Sequence, residues 1–205
     1  MIDWLTFVPA CFALNLAFGP NNLLALTHGA RSGVWFAQRA GTGRLMVFVP
    51  MIAASAMGLG VILTTSALVF TVVKVVGAAY LIWLGITLWR SARTIRIDAT
   101  MTGPEDLSGA LKSEAWVALS NPKAILIFAA FFPQFVDVDA YWHSFAVLGA
   151  AFLAMECVAI CAYATFGRFA SSFAAGKLSA MQRVSGVTMC VFGALLLISP
   201  QPSRN

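Results

Sequence analysis

Charged side chains are missing from most of this chain, and their absence limits the fold more than any motif does. No Asp, Glu, Lys or Arg occurs from Trp4 to Ala30, Leu45 to Val73, Val75 to Trp89, Ala124 to Val136 or Val184 to Ser203, and Phe145 to Gly167 carries only Glu156. About 20 apolar residues cross the ~30 Å hydrocarbon layer of a bilayer as a helix. Six spans are read on that basis, at about 4–28, 43–66, 70–90, 113–136, 144–167 and 182–200. Lys74 and Lys123 fall inside the third and fourth. With 60% hydrophobic and 10% charged residues, the chain has too few charges to coat a soluble globule. An all-α integral membrane protein is expected.

Basic residues set the orientation, since Lys and Arg are retained on the cytoplasmic side. Arg31, Arg39 and Arg44 lie in or beside the first loop; Arg90, Arg93, Arg96 and Lys112 in the third; Arg168, Lys177 and Arg183 in the fifth. The fourth loop carries Asp137 and Asp139 instead. Both termini are therefore expected outside the cytoplasm. The net charge of +5 is a topology signal, dispersed over three loops, and not a nucleic-acid surface. Met1-Ile2-Asp3-Trp4 lacks the positive start of a cleavable signal peptide, so the first span is expected to stay in the mature protein.

Two prolines interrupt these apolar stretches about half a chain apart, in Gly19-Pro20-Asn21-Asn22 and Ser120-Asn121-Pro122-Lys123. A proline removes a helical hydrogen bond, and inside a membrane the freed backbone groups persist only when buried in protein or lining a wet cavity. Paired breaks in corresponding halves are the sequence pointer to a transporter binding site. The organisation expected is one membrane domain of two inverted three-helix repeats, about 1–95 and 113–200, joined by a cytoplasmic linker over about 91–112, with helices one and four broken at proline. Pro20 then lies roughly 12 Å and Pro122 roughly 14 Å from the inner end of its span, at 1.5 Å per residue.

Each broken helix offers a new N-terminus whose N–H groups favour an anion. Asn21, Asn22 and Asn121 add amide donors and acceptors, Lys123 a cation, and Glu156 an acid in mid-span. Such a set suits a small zwitterion, with carboxylate on the N–H groups and ammonium on Glu156. Asn15, Gly19 and Asn22 form one stripe at i, i+4, i+7. The plainer readings stand beside these: proline kinks, Asn as interhelical glue, and Lys123 snorkelling to the interface. Glu156 is too short and too deep to snorkel, which favours substrate binding or proton coupling.

Cys11, Cys157, Cys161 and Cys190 read as packing residues with free thiols; the C-x-x-x-C spacing of Cys157 and Cys161 is not a redox pair. His28 and His143 lie at opposite membrane ends, so no metal set forms. Pro50 reads as a kink, and Ala54/Gly58 and Ala146/Ala150/Ala154 as close helix packing. No Walker-type phosphate loop occurs. The alternatives left open are a passive channel and a membrane thiol-electron carrier.

Phe18-Gly19-Pro20-Asn21-Asn22-Leu23-Leu24, Gly77-Ala78-Ala79-Tyr80-Leu81-Ile82-Trp83-Leu84-Gly85, and Leu119-Ser120-Asn121-Pro122-Lys123-Ala124 followed by Phe132-Pro133-Gln134-Phe135 occur in order along the chain. In these runs it resembles the lysine exporter (LysE) family, especially its homoserine/threonine resistance (RhtB) type. The resemblance implies a bacterial cytoplasmic-membrane exporter of amino acids or their derivatives, driven by ion gradients, without cofactor, ATP or enzymatic activity. It carries family involvement onto Gly19, Pro20, Asn21, Asn121, Pro122 and Lys123. Glu156 departs from the residues common at its position in the family, so substrate identity does not carry over. Homo-oligomerisation is left open.

The topology is checked with reporter fusions. Those after Arg96 and Ser172 are expected to read cytoplasmic, and those after Asp139 and Asn205 periplasmic. A cytoplasmic signal at Asn205 would mean an odd number of spans and remove the inverted three-plus-three arrangement.

Overall fold

The computed structural model describes residues 2–65, 67–90, 106–169 and 174–198. Among them every regular element is helical: α1 (Trp4–Leu16), α2 (Pro20–Ser32), α3 (Val34–Thr65), α4 (Ala67–Arg90), α5 (Leu107–Leu119), α6 (Pro122–Leu126), α7 (Tyr141–Phe169) and α8 (Ala174–Ile198). A π-helical turn, Ile127–Phe131, and a 3-10 turn, Phe132–Phe135, extend α6. Three helices are long and apolar enough to cross a membrane, and the count reaches five when each bent pair is one span. α4, the expected third span, runs 24 residues beside them. Their outward faces carry Leu5, Met46, Met57, Leu68, Val76, Val184 and Ile198, as a lipid-facing surface requires, and all six Trp residues are exposed on it.

Both proline breaks form, and they lie deeper than the sequence spans placed them. α1 and α2 meet at 62°, and α5 and Pro122–Phe135 at 50°. α1, α2 and α5 are each 13 residues long. The breaks therefore bisect their bent helices rather than lying eight or nine residues from one end, because α2 runs on to Ser32 and α5 begins at Leu107. In each pair the proline opens the second helix, where its missing N–H costs nothing.

The first loop contracts to one residue. Gly33, at φ 88° and ψ 168°, is all that separates α2 from α3, a conformation that side chains with a Cβ adopt at a cost. Arg39 and Arg44, expected in or beside a loop, are helical residues of α3, whose start precedes the expected boundary by nine positions because the apolar pattern weakens over Gln38–Arg44 without any helix breaker. The expected linker also shortens: Leu107–Lys112 belong to α5, capped by Asp106, which accepts from the N–H groups of Ser108 and Gly109 at 3.2 and 2.9 Å. The remainder of the linker, 91–105, lies outside the described residues.

The halves interleave. α2 packs on α7, α3 on α5 and α7, and α4 along α8. Close crossings set these pairs: a Cβ on Gly29 would meet the Ala164 carbonyl oxygen at 2.2 Å, one on Gly167 the Leu26 carbonyl oxygen at 2.0 Å, and one on Gly85 the Gly186 carbonyl oxygen at 2.5 Å. Small residues admit backbone contact between membrane helices, but the expected pairs are not the ones used. Ala54, Ala146, Ala150 and Ala154 are exposed, and nothing lies within 4 Å of a Cβ on Gly58. Spacing locates small residues; it does not say which helix face is buried.

The core divides into an aromatic layer and an ionic one. Phe48, Phe128 and Phe152 meet at centroid distances of 5.0–5.7 Å and continue through Phe132 to Phe7, Phe131 and Phe135. Ser55 donates to the Phe128 carbonyl, which lies in the π turn. Arg44 precedes Phe48, and Glu156 follows Phe152, by four residues, so the ions lie one helical turn below the aromatic rings.

Replacing Gly167 by Leu is expected to prevent the α2–α7 crossing and cost about 3 kcal/mol or more, since the clash is with backbone. Gly58→Leu serves as the control. Thermal unfolding in detergent checks both, and equal midpoints would contradict the crossing.

Candidate functional site

At the first break α1 ends with its last carbonyls pointing into the protein, and each finds a side chain. Lys123 Nζ donates to the Leu14 and Ala17 carbonyl oxygens at 3.2 and 2.9 Å. Asn22 Nδ2 donates to those of Asn15 and Ala17 at 2.8 and 2.9 Å, and Tyr163 Oη to that of Leu16 at 2.7 Å. Phe18 N–H donates to Ser185 Oγ at 2.6 Å. A cation at a helix C-terminus also meets the favourable end of the helix dipole. Lys123 is 8% exposed, so it does not snorkel: it belongs to the break.

The two breaks touch. Asn121 caps α6 by accepting from the Lys123 N–H at 3.0 Å and donates its amide to Asn21 Oδ1 at 2.9 Å. Asn21 in turn donates to Glu114 Oε2 at 3.0 Å and to the Glu114 carbonyl at 3.1 Å. The first backbone bond of α2 is from Leu23 N–H to Gly19 carbonyl, so the Asn21 and Asn22 N–H groups belong to the unpaired first turn.

Arg44 stands at the centre with 0% exposure. Its Nε donates to Glu114 Oε2 and its Nη2 to Glu114 Oε1, both at 2.8 Å; Nη2 also donates to the Asn21 carbonyl. Nη1 donates to Glu156 Oε1 at 2.9 Å and to Asn22 Oδ1 at 3.2 Å. These five bonds use all five N–H groups of a guanidinium. Two cations, Arg44 and Lys123, thus share the junction of the breaks with two carboxylates, Glu114 and Glu156, and His28 Nε2 stands 4.0 Å from Glu114 Oε1; a third buried cation, Lys74, belongs to α4. Isolated, any of these charges would cost several kcal/mol to bury.

Of the expected site residues, Asn15, Asn21, Asn22, Asn121, Lys123 and Glu156 are all buried and drawn together, with Gly19 and Pro20 at the turn that brings α2 in and Pro122 at the start of α6. A Cβ on Gly19 would lie 3.5 Å from Lys123 Nζ. The sequence reading missed Arg44, Glu114, Tyr163 and Ser185, and gave His28 no part beyond a place at a membrane end; His28 is buried beside Glu114. Glu156 is joined by a second acid: Glu114, two residues after Lys112 in the sequence, is fully buried. The missed signal was one of pairing: Arg44 and Glu114 each lie at the end of an uncharged run, with opposite signs, beside a small residue. Gly43 lets α3 approach α5 so closely that a Cβ there would lie 2.2 Å from the Leu111 carbonyl oxygen.

An apolar helical bundle whose two broken helices meet at a buried, charge-balanced cluster has the build of a membrane transporter, not of an enzyme. The chain belongs to the LysE type translocator family, whose profile matches residues 12–200. It is 30% identical to the homoserine/homoserine lactone efflux protein of Salmonella typhimurium over 94% of this chain and 95% of that one. It is 34% identical to the leucine efflux protein of Enterobacter sp. strain 638 over 68% of this chain and 66% of that one, and 33% identical to an uncharacterized membrane protein of Vibrio cholerae over 82% and 84%. No solved structure matches it.

Arg44→Met is expected to strand the carboxylates it holds and cost about 3–5 kcal/mol, whereas Arg44→Met with Glu114→Met, which leaves Lys123 balanced by Glu156, recovers part of that loss. Thermal unfolding in detergent measures both. A single variant as stable as the wild type would mean that the guanidinium is not buried.

Proposed function

We propose that the chain is a secondary active exporter of amino acids or amino-acid derivatives across the bacterial cytoplasmic membrane. The observation that carries this reading is the buried ion cluster at the junction of two broken helices, in a family of translocators whose relatives are named for efflux of homoserine and leucine. Burying charge in lipid is costly, and chains that do so use it on a substrate or ion path.

The architecture proposed is six spans in two inverted three-helix repeats, with both termini periplasmic. Three features support it. Both breaks bisect their helices, α1, α2 and α5 have equal lengths, and the helices equivalent under inversion, α3 with α7 and α4 with α8, pack on each other. The residues proposed to bind the substrate or to gate its path are Asn15, Gly19, Pro20, Asn21, Asn22, Asn121, Pro122, Lys123 and Glu156. Glu156 takes the substrate ammonium or exchanges the coupling proton. A passive channel fits less well, because Phe48, Phe128 and Phe152 close over the ions where a channel needs a continuous polar path.

The test is efflux of labelled homoserine and labelled leucine from proteoliposomes with and without an inward proton gradient. Gradient-stimulated efflux of at least one is expected. Glu156→Gln should lower gradient-driven efflux about tenfold, one decade of rate corresponding to about 1.4 kcal/mol of barrier; a loss confined to the driven mode is the signature of proton coupling, and an equal loss of substrate exchange that of the ammonium contact. Efflux of neither amino acid above protein-free vesicles would sink the exporter reading, and an unaltered gradient response in Glu156→Gln would remove the coupling role.

A further inference from the structure

The bonds around Arg44 are not equivalent, and the difference identifies where a zwitterion enters. Glu114 is held by two parallel bonds from Nε and Nη2, at 2.8 Å each, and by the Asn21 amide at 3.0 Å. Bidentate pairing of this kind is the strongest and most directional form that a guanidinium makes. Glu156 is held by one bond, from Nη1 at 2.9 Å, and the other acceptor on Nη1, Asn22 Oδ1, stands at 3.2 Å. Glu114 has no exposed side-chain surface, whereas Glu156 retains 6%. One edge of the guanidinium is locked and its Nη1 corner is lightly held.

The geometry points to the Arg44–Glu156 ion pair as the seam into which the substrate's α-ammonium and α-carboxylate insert, the carboxylate accepting from Arg44 Nη1 and the ammonium donating to Glu156, while Arg44 keeps its fork on Glu114. Charge bookkeeping favours this exchange: a zwitterion adds no net charge to a cluster of two cations and two carboxylates, so no member of that cluster is left as a lone ion at any point. One charge-assisted bond is replaced by two. The same insertion parts α3 from α7, which carry Arg44 and Glu156, and each bears, four residues away, a ring of the aromatic layer above. Binding at the seam thus pulls directly on Phe48 and Phe152. Neither the Arg44 corner nor its division of labour with Glu114 follows from the motif residues at the breaks, and Lys123, which spends two bonds on α1 carbonyls, is committed elsewhere.

This inference rests on the exporter reading, and its test separates the two. Whichever of homoserine and leucine the wild type exports is competed against its own fragments: 3-aminopropan-1-ol and 4-hydroxybutanoate for homoserine, isoamylamine and 4-methylpentanoate for leucine. Proteoliposomes carry the wild type, Arg44→Lys and Glu156→Gln. Arg44→Lys keeps a charge for Glu114 but removes the Nη1 corner. It should weaken the parent amino acid and the acid fragment about tenfold or more, and leave the amine fragment within about twofold, since the bond lost is a charge-assisted one made to the carboxylate alone. Glu156→Gln should do the reverse. Equal weakening of acid and amine by Arg44→Lys, or none, overturns the seam and leaves the exporter reading intact. Should Arg44→Lys fail to assemble, the wild type decides: an amine fragment competing as well as the parent overturns the inference, and both fragments falling about tenfold or more below it support the inference. A wild type that exports neither amino acid overturns the exporter reading itself.

Discussion

A guanidinium with no exposed surface has to find an acceptor for each of five N–H groups, since each one left over costs about 1–3 kcal/mol and more when charged. Arg44 finds them on α2, α5 and α7 while standing on α3. Those four helices are fixed relative to one another by that requirement. The cluster needs α2 and α5 to present the Asn21 carbonyl and Glu114 at one depth, which continuous helices could not do: the Asn21 carbonyl is reached because the chain turns at Gly19-Pro20, and α5 stops at Leu119 so that Asn121 can reach across to Asn21. The breaks are thus the means by which the interior accommodates charge.

Breaking a membrane helix exposes backbone groups that lipid cannot satisfy, and the chain meets that cost with side chains from the opposite half. Lys123 and Tyr163 serve carbonyls of α1, and Asn22 serves them from the next helix. Glycine makes these reaches possible. Gly43 brings α3 against α5, and Gly29 with Gly167 brings α2 against α7, so the donors arrive at bonding distance.

The membrane class, the two breaks and the polar residues beside them were legible in the sequence, because proline and long uncharged runs act locally. What was not legible depended on pairing across the fold. Arg44 looked like a loop cation because the residues before it, Gln38 to Gly43, lack a strong apolar pattern; the Ile160 side chain and the Leu111 backbone on the facing helices explain why Gly41 and Gly43 there are small and buried. Glu114 drew no reading at all, since it stands two residues beyond Lys112 at the start of the fourth span. Lys123 left two readings open, and its choice rests on carbonyls of α1 some hundred positions away. Ala146, Ala150 and Ala154 had the spacing of a packing face yet point outward, since spacing fixes a stripe and not its direction.

The guanidinium nitrogens of Arg44 offer the most direct measurement of the central claim, that the ion cluster at the breaks is where the exported amino acid binds. In 15N-arginine-labelled protein in lipid nanodiscs, with the Arg44 signals assigned by Arg44→Lys, the empty state should show one guanidinium whose η protons exchange slowly with water. Saturation with the exported amino acid should shift the Arg44 Nη1 signal and leave Nε, locked on Glu114, where it was. Arg44 signals unchanged at saturating substrate would contradict the account and place the cargo elsewhere.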